Sequence, residues 1–135
     1  MLYKVVMKIL YVVNNFYVKG NGLSASAQRT VKYLKEAGLD IKVLSGAEET
    51  SEVLPDFVLP NWKVPIFNNL IRKQGYTFAD VDRKVIQEAI DWADIIHIEE
   101  PFLLQMEVVK MARKSGKRLT ATYHLHPENL YSSIY

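Results

Sequence analysis

Apolar positions along the chain come in two rhythms. Short continuous runs of β-branched and apolar residues occur at Ile9 to Val13, Ile41 to Leu44 and Asp94-Ile-Ile-His-Ile98, with a further strand-like segment from Arg118 to Tyr123. Between them lie stretches whose apolar residues recur every three or four positions, the spacing of one helical face. The first holds Ala27, Val31 and Leu34 and stops at Gly38. The second starts at about Asp80 and carries Val85, Ile86, Ala89 and Ile90. The third presents Leu104, Val108, Met111 and Ala112 and stops at Gly116. Glycine immediately after a helical stretch is the usual residue for a left-handed C-terminal cap, so Gly38 and Gly116 predict two helix ends.

The order is therefore strand, helix, strand, then helix, strand, helix, strand. Continuous apolar runs suit strands covered on both faces, and parallel neighbours need helical crossovers. The pattern predicts an α/β fold: a parallel sheet with helices on both faces. In such sheets ligands bind beyond the carboxyl ends of the strands. The loop after Val13, the segment after Ile98 and the histidines after Thr122 all fall there. Between the second strand and the helix near Asp80 runs a stretch too long for a plain loop, divided by Pro55, Pro60 and Pro65. Phe57 to Leu59 and Trp62 to Val64 are expected to be short extended pieces and Ile66 to Arg72 a short helix. Phe67, Leu70 and Ile71 would pack on the flank of the domain or form an apolar flap.

Composition narrows the function classes. A chain of 135 residues is one domain's worth, with 17 basic against 15 acidic residues and a net charge of +2. That near balance disfavours a nucleic-acid partner, which calls for clustered positive charge. The absence of cysteine removes disulfide and thiolate chemistry. The apolar opening MLYKVVMKILYVV is interrupted by Lys4 and Lys8 and lacks a following small-residue cleavage site, so it reads as a buried strand rather than a signal peptide. No run approaches the ~18 apolar residues of a membrane span.

Three sets of residues carry candidate chemistry. Gly20-Asn-Gly22-Leu-Ser-Ala25 matches the G-x-G-x-x-G/A dinucleotide fingerprint in form. In that motif the first glycine turns directly off the strand, whereas Asn14 to Lys19 intervene here. The acidic ribose partner is also missing, its place being taken by Ser45. A turn before a helix, or a loop whose N–H groups approach an anionic ligand, fits better. His124 and His126 share a face of any continuing strand, but no third ligand has a metal-site spacing and Pro127 turns the chain. His124 stands at a carboxyl strand end facing the crevice. His97, inside an apolar run, is expected to be a buried and hydrogen-bonded core histidine. Of Glu99 and Glu100, one should turn into the crevice; adjacent residues on an extended chain point apart, which argues against a paired-carboxylate hydrolase.

Four segments together resemble the N-terminal Rossmann-like domain of GT-B glycosyltransferases of the retaining family 4 type. They are MKILYVVNNF, NGLSASAQRTVKYLKEAGLDIKVL, LPNWKVPIF and DIIHIEEPFLLQMEVVKMARKSGKRLTATYHLHPENLY, in the family's order and spacing and over nearly the whole chain. The Asn-Gly loop and the Leu-Pro to Val-Pro segment look most like the branch that glycosylates lipids or builds envelope polysaccharides. Two positions depart from the pattern. Glu99 replaces a common histidine, and Leu125 replaces the threonine of the Tyr/Phe-His-Thr motif.

The resemblance implies that residues 1–135 form a single acceptor-side domain, C-terminally truncated and without its donor-binding partner domain. It implies His124 as the catalytic residue, with Asn21, Gly22, Leu23, Glu100, Tyr123 and His126 contacting substrate. The partners would be a nucleotide-sugar donor and a glycan or lipid acceptor, with no nucleic acid. No metal or other cofactor is implied, since the nucleotide-sugar is a substrate. The setting would be cytoplasmic, with peripheral contact at the inner face of the membrane left open. An unfinished domain is also expected to self-associate through uncovered apolar surface. The rival from another class is a non-catalytic α/β regulatory or interaction module.

Overall fold

A computed structural model of the chain describes residues 7–16, 22–46, 55–60, 81–99 and 103–122. They form five strands and three helices: β1 (Lys8–Asn15), α1 (Gly22–Glu36), β2 (Asp40–Gly46), β3 (Phe57–Leu59), α2 (Arg83–Trp92), β4 (Ile95–Glu99), α3 (Leu103–Lys114) and β5 (Arg118–Thr122). All four strand pairings are parallel, and the sheet order is β3-β2-β1-β4-β5. This is the Rossmann-like α/β architecture that the alternation of periods predicts. The expected pieces at Trp62 to Val64 and Ile66 to Arg72, and the flap residues Phe67, Leu70 and Ile71, lie outside the described residues.

Strand alternation sorts the side chains to two faces. On one, Leu10, Val12, Leu44, Leu59, Ile96 and Ile98 pack against Ile86, Ala89 and Ile90 of α2 and Leu104, Val108 and Ala112 of α3. On the other, Tyr11, Val13, Ile41 and Val43 pack against Ala27 and Val31 of α1. Burying a Leu or Ile side chain stabilises by about 1.5–3 kcal/mol, so the two-helix face holds most of the core. Arg83 pairs with Glu107 at 3.0 Å, a link between α2 and α3 worth little because Arg83 is largely in solvent. None of the described helices is long and apolar enough to cross a membrane.

Local chemistry explains where the helices stop and start. Gly38 has φ 90° and Gly116 has φ 68°, conformations that a Cβ disfavours. At the first, Gly38 N–H donates to Lys35 O at 3.0 Å and Leu39 N–H to Leu34 O at 3.1 Å. At the second, Gly116 N–H donates to Arg113 O at 3.2 Å and Lys117 N–H to Ala112 O at 3.0 Å. Both pairs are Schellman closures that satisfy carbonyls left over at the helix end. At the start of α2, the Asp82 carboxylate accepts from Lys84 N–H at 3.1 Å and Val85 N–H at 3.3 Å, which caps two of the orphan donors there.

Boundaries differ from the sequence reading mainly at strand ends. β1 runs on through Asn14 and Asn15, with a register irregularity between Val12 and Asn15, because parallel pairing to β2 satisfies its backbone regardless of side-chain polarity. β4 includes Glu99, and Gly22 is the first residue of α1 rather than part of the preceding loop.

Candidate functional site

The sheet order reverses direction between β1 and β4. From β1 the chain goes to β2 and β3 on one side, then returns to β4 and β5 on the other. The carboxyl ends of those two strands, with the helices that follow them, make the crevice where parallel α/β sheets bind ligands. α1 begins there at Gly22 and α3 at Leu103, so both helix N-termini open toward the same end of the sheet.

Side chains from the two strands meet at this point. Glu99, the last residue of β4, is only 4% exposed, and the Tyr11 hydroxyl of β1 donates to its Oε1. A carboxylate this deeply buried needs hydrogen-bond donors to offset its lost hydration. Tyr11 itself is 1% exposed. Burial first, then the hydrogen bond to Glu99 and its negative charge, push the phenol well above the ordinary tyrosine value, while a side-chain hydrogen bond with Thr30 pulls the other way. Tyr11 is thus a neutral donor across the whole physiological range.

His97 lies one strand position pair before Glu99 on the same face. Its ring stacks on Tyr11 with centroids 5.2 Å apart. Nδ1 is 2.7 Å from Thr120 Oγ1 and Nε2 is 3.0 Å from Thr122 Oγ1, both on β5. The ring is hydrogen-bonded at both nitrogens, as expected, yet only half-buried, because Thr120 and Thr122 beside it are exposed. Burial lowers its affinity for a proton below that of an ordinary histidine, and the charge of Glu99 opposes that effect.

Two further groups brace the crevice floor. Gln105, in the first turn of α3, is fully buried and its Nε2 donates to the Glu99 carbonyl at 2.7 Å. Its Oε1 is buried without a hydrogen-bond partner. Gln28 of α1 donates through Nε2 to Phe16 O at 2.6 Å, tying the helix back to the end of β1. Among the described residues no group of three His, Cys, Asp or Glu side chains is placed to hold a metal ion.

Of the site residues expected from sequence, Gly22 and Leu23 form the start of α1 at the crevice. Asn21, Glu100, Tyr123, His124 and His126 lie outside the described residues. Ser45, which stands where a dinucleotide site needs an acid, is fully buried, and its hydroxyl donates to Gly46 O at 2.7 Å. A hydroxyl so enclosed cannot serve a ribose. Tyr11 and Gln105 stand in the site without being among the candidates drawn from the sequence. Tyr11 sits in an apolar run and reads as core, although its strand parity already matched Val13 and opposed Leu10 and Val12. Gln105 is a polar residue on the inner face of α3, three and seven positions from Val108 and Ala112, and that placement was a usable signal. In comparisons with known proteins, no family model matches the chain and no curated protein matches it.

Proposed function

We propose that the chain is the acceptor-side part of a retaining glycosyltransferase, which moves a sugar from a nucleotide-sugar to a lipid or polysaccharide acceptor in envelope synthesis. The observation that carries the reading is the reversal of strand order between β1 and β4, with α1 and α3 both opening onto that crevice. This is where a parallel α/β sheet takes its ligand, and three of the sequence segments that resemble the glycosyltransferase domain supply β1, α1, β4 and α3 around it. Transfer in such a site is positioning plus stabilisation of the departing diphosphate, which backbone N–H groups at a helix start can help supply. On this reading Gly22 and Leu23 begin the helix that approaches the diphosphate, and His124 stands beside the transferred sugar. The buried Glu99 makes the β4 side of the floor unsuited to phosphate, so the diphosphate belongs on the α1 side.

The test uses the protein that carries this chain together with a donor-binding domain. There, His124→Ala should cut turnover at least a hundredfold while moving Tm by less than about 2 °C, since a crevice side chain contributes little packing. A variant that keeps its turnover would sink the proposal. So would a reading frame that closes at Tyr135 in the natural gene, which favours the non-catalytic module.

A further inference from the structure

α3 buries one side and leaves the other to solvent. Leu104, Gln105, Val108 and Ala112 are buried, while Leu103, Met106, Lys110, Arg113 and Lys114 are exposed. At 3.6 residues per turn those five exposed positions fall within about 100° of arc, so they make one stripe along the helix.

The stripe joins two properties. Large apolar side chains scattered singly over a surface need no explanation, but Leu103 is 69% exposed and Met106 58%, and they stand one turn apart on the same stripe. Beyond them the stripe is basic throughout. Glu107, at its edge, is partly buried and taken up by Arg83 at 3.0 Å. The sequence then holds no further acid until Glu128, while Lys110, Arg113, Lys114, Lys117 and Arg118 follow one another. Positive charge is uncompensated within that segment.

Together the two properties select the partner. A second copy of the chain would set like charges against each other across a shared stripe. A phosphate backbone would meet the bases but leave Leu103 and Met106 in water. An anionic lipid surface takes both, because bases meet headgroup phosphates while neighbouring apolar side chains reach the acyl boundary. α3 is too short and too polar to cross a membrane, so such a contact lies in the interface plane. α1, on the opposite face of the sheet, also exposes Arg29, Lys32 and Lys35, but Glu36 stands beside them and the exposed Tyr33 ring ends in a hydroxyl.

We propose that the outer stripe of α3 is a docking surface for an anionic membrane, with Leu103 and Met106 entering the headgroup layer and Lys110, Arg113 and Lys114 meeting lipid phosphates. Leu103 opens α3 at the crevice end of the sheet, so docking brings the crevice mouth to the lipid surface, where the lipid acceptor of the proposed transfer would be met. The surface does not depend on that reaction: vesicle binding and the loss of turnover in His124→Ala can each fail without the other.

The test is sedimentation of the full chain with vesicles of phosphatidylcholine containing about 30% phosphatidylglycerol, and with phosphatidylcholine alone. Each base at an anionic surface strengthens binding about fivefold, so the triple variant Lys110→Gln, Arg113→Gln, Lys114→Gln should lower partition into the anionic vesicles about a hundredfold. The matching triple variant on α1, Arg29→Gln, Lys32→Gln, Lys35→Gln, removes the same net charge and should lower it less than about fivefold. Raising salt from about 0.1 M to about 0.5 M should release the wild-type chain. Because the chain has no cysteine, Met106→Cys and Tyr33→Cys can each carry a single polarity-sensitive dye. Emission at position 106 should shift to the blue on anionic vesicles and emission at position 33 should not, a reading that stands even where the triple variant fails to fold. No binding to the anionic vesicles, equal binding to both kinds, equal loss from the two triple variants, or a shift at position 33 without one at position 106 overturns the proposal. So does retention on duplex DNA without vesicle binding, which would give the bases to phosphate backbones instead.

Discussion

Replacing Tyr11 with Phe removes one oxygen from a residue that is 1% exposed and leaves its ring in place. The packing against Val31 and Val43 and the stack on His97 are kept. What is lost is the O–H that donates to Glu99, whose carboxylate is 4% exposed and cannot replace that donor with bulk water. Hydrogen bonds to charged groups contribute about 1.5–3 kcal/mol, so Tyr11→Phe should destabilise by about 2 kcal/mol. For a chain of this length that corresponds to a fall in Tm of about 7 °C. Urea unfolding at pH 7 should show a lower midpoint with an unchanged slope, since the surface exposed on unfolding is the same. The alkaline limb supplies a second readout. The folded phenol holds its proton above the unfolded value of 10.0. As pH rises past that value the unfolded chain loses protons that the folded chain keeps, and stability falls. Tyr11→Phe should abolish that component of the alkaline loss. A variant within about 0.5 kcal/mol of wild type, with the alkaline limb intact, would refute the view that this pair holds β1 to β4 at the crevice.

Gly38→Ala places a Cβ at φ 90° where nothing lies within 4 Å, so the cost is backbone strain alone; a loss of about 1 kcal/mol by urea unfolding is expected, and no loss would mean the Schellman turn relaxes. Asp82→Ala removes the acceptor for two N–H groups at the start of α2 and should cost about 1 kcal/mol, with faster amide exchange at Lys84 and Val85 as the local signature.

The periodicity of the sequence determined the fold class because burial on both faces of a parallel strand forces a continuous apolar run, and burial of one helix face forces the three-and-four spacing. The runs at Ile9 to Val13 and Ile41 to Leu44, and the helices closed by Gly38 and Gly116, were legible for that reason: the energetic demand is local and repeats along the chain. Strand order is a different kind of property. That β1 lies between β2 and β4, so that the sheet reverses beside Tyr11, follows from how the helices divide between the two faces, which no single segment encodes. The roles of Glu99 and His97 depend on that order. Tyr11 and Glu99 are 88 positions apart in sequence, and His97 gains its two bonds from threonines 23 and 25 positions further on. Sequence placed Glu99 at a strand end and gave His97 hydrogen-bonded neighbours, yet only the packed sheet decided that a tyrosine from β1 would satisfy the carboxylate. It also decided that the histidine would be left half open, because among the described residues β5 is the outermost strand on that side and its threonines are exposed.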